Sequence, residues 1–68
     1  MDLSSGTTII RLRRVMERTG LSRSSIYARI AEERFPAPVR LGARAVGWVE
    51  GEVEAWIRSK IEARASGD

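Results

Sequence analysis

The chain has 68 residues, of which 43% are apolar and 31% charged, and it carries a formal net charge of +3. A chain this short makes one small domain of marginal stability, burying only about 60% of its unfolded surface. It contains neither cysteine nor histidine, which removes disulfides, thiolate nucleophiles, histidine general bases and any ordinary zinc site, and so argues against an enzyme or a cofactor-dependent protein.

No run approaches the ~20 apolar residues of a membrane span, and the polar, acidic start Met1–Gly6 lacks a signal-peptide core. The expectation is a cytoplasmic protein with no membrane association. Residues 1–7 and 66–68 read as flexible tails around a domain at 8–65.

In chain order, Thr8-Ile9-Ile10 is a β-branched run, either an edge strand or a lead into the first helix. Leu12, Val15, Met16 and Thr19 have helical spacing, and Gly20 is a natural stop, giving helix one at about Arg11–Thr19. Ser22 is a good N-cap with Leu21 before it, and Ile26 and Ile30 share a face. Helix two is predicted over Arg23–Glu33, ended by Phe35-Pro36. The turn between the two helices is about three residues, which matches a helix-turn-helix.

Val39-Arg40-Leu41 and Val46-Gly47-Trp48-Val49 alternate with period two around Gly42-Ala43-Arg44-Ala45, which predicts a β-hairpin. Val39, Leu41, Val46 and Trp48 are expected to face the core, with Arg40 outward and Arg44 at the tip. Helix three starts near Glu50 on an apolar stripe of Val53, Trp56, Ile57 and Ile61. Its early glutamates (Glu50, Glu52, Glu54) and later Arg58, Lys60 and Arg64 suit the helix dipole. The fold class is therefore mainly α with a small β-hairpin: a winged helix-turn-helix with a two-stranded wing and a C-terminal helix.

Charge is unevenly placed. Nine arginines between Arg11 and Arg44 face three acids, so this stretch carries +6 and the remainder −3. A basic field over a helix-turn-helix pattern is the footprint of a double-stranded DNA binder. Helix two would enter the major groove. There Arg23 suits a guanine edge, while Ser22, Ser24, Ser25 and Ala28 lie along its start and outward side. Tyr27 reads equally well as a core ring and as a phosphate donor, since tyrosine can serve both ends. Arg13, Arg14 and Arg18 crowd a helix start and an i, i+4 pair, where folding alone would not choose cations. A phosphate beside helix one would explain them, with Glu17 pairing one of the three. Arg40 and Arg44 on the wing suit the minor groove or backbone, Arg44 the more so. Trp48, Trp56 and Phe35 fall on apolar stripes and are assigned to the core, Phe35 between helix two and the wing. Helix polarity accounts for Glu50, Glu52 and Glu54 better than a metal or catalytic set.

Four blocks of residues together resemble one family. They are Gly20-Leu21-Ser22-Arg23-Ser24-Ser25-Ile26-Tyr27, Arg34-Phe35-Pro36-Ala37-Pro38-Val39-Arg40-Leu41-Gly42, and Arg44-Ala45-Val46-Gly47-Trp48 followed by Glu52-Val53-Glu54-Ala55-Trp56-Ile57. The chain is similar to the AlpA-type prophage regulators, which are related to MerR-like DNA-binding domains and to phage excisionases. The resemblance covers roughly Ile10 to Ile61. Departures are Arg11 where a hydroxyl cap is common, Gly51 where a serine is usual, and Ala28 at a commonly basic position. The resemblance implies a cytoplasmic DNA-binding regulator of a prophage or integrated element. An activator would also touch RNA polymerase, whereas an excisionase would act architecturally beside integrase sites. Either would work as a monomer or weak oligomer assembling on tandem sites. A small basic protein-interaction adaptor is the reading from another class, and no apolar hot-spot pattern supports it.

Overall fold

A computed structural model describes residues 7–65; the tails expected at 1–7 and 66–68 lie, apart from Thr7, outside the described residues. The elements run β1 (Ile9–Ile10), α1 (Leu12–Thr19), α2 (Arg23–Ala31), β2 (Val39–Arg40), β3 (Val46–Val49) and α3 (Glu50–Ala65).

Local chemistry sets the two helix junctions. Gly20 adopts φ 75° and its N–H donates to the Met16 carbonyl, closing α1. Thr19 Oγ1 donates back to Val15 and accepts from the Leu21 N–H, so one hydroxyl bridges the helix end and the turn. Ser22 Oγ then accepts from the Ser25 N–H at 3.1 Å and caps α2. The start of α1 has no such cap: Arg11 is the N-cap residue and makes no side-chain cap bond.

α2 stops two residues before the predicted Glu33. The Glu33 N–H donates to Ile30 and the Arg34 N–H to Arg29, with Glu33 at φ 61°. This is the paired closure of a Schellman motif, with a glutamate in the position that favours glycine. Pro36 lies further on and is not what ends the helix.

The expected hairpin forms, and β1 adds a third strand, giving the antiparallel order β1-β3-β2. Ile9 pairs with Val49 and Ile10 with Trp48; Val39 pairs with Gly47 and Arg40 with Val46. Paired residues share a face, so Ile10, Arg40, Val46 and Trp48 lie on one side and Ile9, Val39, Gly47 and Val49 on the other. This corrects the expected register. Val39 and Leu41 are 40% and 47% exposed rather than core residues, and Arg40 shares the side of Trp48. A one-residue difference in how the turn is counted inverts a strand, and here the turn closes by bonds from the Leu41 and Gly42 N–H groups to Ala45. A side chain at Gly47 is disfavoured, because a Cβ there would collide with Ile9 Cγ2 and lie 3.1 Å from the Ile10 carbonyl.

The core is Ile10, Val15, Ile26, Phe35, Trp48 and Val53, with Leu12, Met16, Leu21, Ile30, Val46, Trp56 and Ile57 packed around it. Ile61, expected on the apolar stripe of α3, is half exposed, because the last turns of that helix run past the core. Both indoles hold the connector after α2: Trp56 Nε1 donates to the Arg34 carbonyl (2.8 Å) and Trp48 Nε1 to the Pro36 carbonyl (3.0 Å). Phe35 is buried between these anchors, edge-on to Trp56 at 4.9 Å, so its ring partner belongs to α3 rather than to the wing.

Candidate nucleic-acid interface

Three elements converge on one open cleft of about 550 Å³. The start of α1 supplies Arg11 and Arg13, the start of α2 supplies Arg23 and Tyr27, and the wing supplies Arg40 and Arg44 with Gly42, Ala43 and Val46. Five guanidinium groups line it and, among the described residues, no carboxylate does. Like charges gathered this way repel one another, and burial of the fold offers them nothing in return. The register of β2 matters here, because Arg40 reaches the cleft by sharing a sheet face with Val46 and Trp48.

Tyr27 packs inward and borders the cleft at once. Its ring meets Trp48 edge-on at 6.2 Å, while 37% of the residue stays exposed at the cleft. Arg23 lies over the same ring, 5.9 Å from its centroid, a cation–π contact that steers the guanidinium along the cleft wall.

The cleft does not take in every residue singled out from sequence. Arg13 and Arg14 each approach Glu17 at 3.8 Å; both pairs are exposed and worth little. Arg14 lies outside the cleft lining. Arg18 departs most from expectation. It is 26% exposed, its Nη1 is 2.9 Å from Glu50 Oε2, and its Nη2 meets Glu54 Oε1. Arg18 therefore ties the end of α1 to the start of α3 and is not a free cation. Ser22 is committed as the α2 cap through its acceptor lone pairs; its hydroxyl hydrogen stays available. Ser24 and Ala28 are exposed on α2, and Ser25 is half-buried beside the cap. Ala28 borders a second, smaller groove instead, with Arg29, Glu32, Arg34 and Lys60.

Arg11 is the cleft arginine that sequence reasoning did not single out. The signal was present: a cation stands where a helix normally starts with a hydroxyl. Burial of Ile10 in the sheet then leaves Arg11 at the cleft mouth. Among the described residues, no group of three or more acids, histidines or cysteines converges to hold a metal ion, and no helix is long and apolar enough to cross a membrane.

The sequence matches known proteins over this same region. The family model described as prophage CP4-57 regulatory protein (AlpA) matches residues 8–61. The DNA-binding transcriptional activator AlpA of Escherichia coli K12 is 32% identical, over 91% of this chain and 97% of that protein. An uncharacterized protein, ORF88, of Enterobacteria phage P4 is 43% identical over 85% of this chain, which spans 66% of that protein's length. The matched residues include the whole of α1, α2 and the wing, together with all five cleft arginines. The chain belongs to the AlpA family of prophage regulatory proteins.

Proposed function

We propose that the protein is a sequence-specific double-stranded DNA-binding transcriptional regulator of a prophage or integrated element, acting in the cytoplasm. The observation that carries this reading is the meeting, in one cleft, of five arginines from three elements that are unpaired or weakly paired among the described residues, with no described carboxylate in the lining. Such a surface fits a polyanion with a ridge and two flanks, as duplex DNA provides. α2 enters the major groove, with Arg23 aimed at a guanine edge and held by the Tyr27 ring. Arg40 and Arg44 take the adjacent minor groove or backbone, and Arg11 and Arg13 take phosphates beside α1. The E. coli relative named as a DNA-binding transcriptional activator supports the regulator reading over an architectural excisionase.

The test is duplex affinity against salt. If four of the five cations neutralise phosphates, log affinity falls by about 3.6 per decade of salt, roughly a hundredfold between about 50 and 200 mM. Affinity that does not change over that range overturns the proposal. Footprinting on DNA flanking the gene then separates the modes: one filled site favours a regulator, and cooperative filling of tandem sites favours an excisionase.

A further inference from the structure

The second groove, on the other side of α2, is unexplained by the cleft. It has a volume of about 260 Å³ and is lined by Ala28, Arg29, Glu32, Arg34 and Lys60. At 3.6 residues per turn, Arg23 and Tyr27 project to one side of α2, while Arg29 and Glu32 project to the opposite side. Between them runs an exposed ridge of small residues, Ser24, Ala28 and Ala31. α2 is therefore a narrow ridge with cations on both flanks.

The geometry points to a second DNA-backbone contact in this groove, in which Arg29, Arg34 and Lys60 grip phosphates of the strand facing away from the wing. This rests on the proposed duplex binding and extends it to the other wall of the same major groove. The dimensions agree: a helix with its side chains is about 10–12 Å across, and the major groove is about 12 Å wide. A helix filling that groove brings each flank to one strand.

Trp56 anchors this groove from below. Lys60 Nζ lies 5.4 Å from the Trp56 ring centroid, and the same indole donates to the Arg34 carbonyl. Arg29 is half-buried and has no ion pair among the described residues. The Schellman closure uses the Arg29 and Ile30 carbonyls, so two of the carbonyl oxygens that would repel an anion at this helix end are already bonded. Glu32 is the one acid in the lining. Its pairing with Arg34 is long, at 3.9 Å between two exposed side chains, and a phosphate can displace it.

The experiment uses the full chain and a duplex selected by it from a random-sequence pool. The paired substitution Arg29→Gln with Lys60→Gln should flatten the salt slope by about 1.8, at about 0.9 for each phosphate that is no longer neutralised. Phosphate-ethylation interference should weaken only on the strand facing away from the wing, while Arg44→Ala weakens it only at the wing's phosphates. Lys60→Gln alone, at an exposed position, gives half the slope change and guards against misfolding of the double variant. Arg64→Gln, a cation outside both grooves, should leave slope and interference unchanged. If the Arg29 and Lys60 variants match Arg64→Gln while wild-type binding stays salt-dependent, this groove does not touch DNA and the cleft reading stands. If the wild-type chain selects no duplex, both readings fail.

Discussion

At the C-terminal end of α1, Arg18 is half-buried and gripped by Glu50 and Glu54 of α3; at the N-terminal end of the same helix, Arg11 and Arg13 open onto a cleft with no described carboxylate in its lining. The residue type is the same at both ends. What differs is the supply of counter-charge. Arg18 lies 32 and 36 residues from its two partners, a distance the fold closes. The comparison teaches that counting arginines finds a basic protein, whereas asking which arginines meet a carboxylate from another element separates the one that fastens helices together from those that line the cleft. One end of α1 fastens the domain, and the other opens onto the cleft.

The harshest way to break the comparison is to remove what supports both ends. Trp48→Ala should cost about 3–5 kcal/mol, enough to unfold a domain of marginal stability, as read by thermal melting. Trp48 is fully buried, holds the Pro36 carbonyl and backs Tyr27, whereas Trp56 is partly exposed. A cooperatively melting Trp48→Ala chain would show that the cleft does not depend on this wall. Arg23→Ala tests the open end: discrimination at one base position should fall by about 1–3 kcal/mol with the melting temperature unchanged. Equal loss on every duplex would make Arg23 a phosphate-binding residue instead.

Arg18→Met tests the closed end and should show the reverse pattern. Stability should fall by about 1 kcal/mol after allowance for solvent screening of these partly exposed pairs, and the salt slope for duplex binding should not change. A flattened slope would return Arg18 to the gripping surface. The smallest effect is expected at Glu33→Gly. Relief of the left-handed φ should stabilise the chain by about 0.5–1 kcal/mol in chemical denaturation, and a loss of stability would mean the glutamate side chain is needed there.

Much of this was legible in the chain. Gly20, Ser22 and the Ile26–Ile30 spacing marked out the helix-turn-helix, because stop, cap and apolar face are local signals. The tryptophan stripes and the clustered arginines gave the core and the charged side. The wing's facing was not legible: Val39-Arg40-Leu41 alternates equally well in either direction. Only pairing with Gly47, whose missing side chain makes room for Ile9 and Leu41, sends Arg40 to the cleft side. Glu33 was hidden for a similar reason, since a glutamate at a left-handed helix end carries no sequence mark. The fate of Arg18 depended on a partner helix, and that of Arg11 on the strand before it.

The two indoles are unequally sheltered, and this equips the protein with its own optical gauge. Trp48 is sealed from solvent, so its emission follows the integrity of the fold; Trp56 is half open beneath Lys60, beside the second groove. A neutral collisional quencher such as acrylamide, which bound DNA does not repel, reaches the latter far more readily. Loss of quenching when duplex is added would therefore report occupation on that flank, without a label and on the unmodified chain.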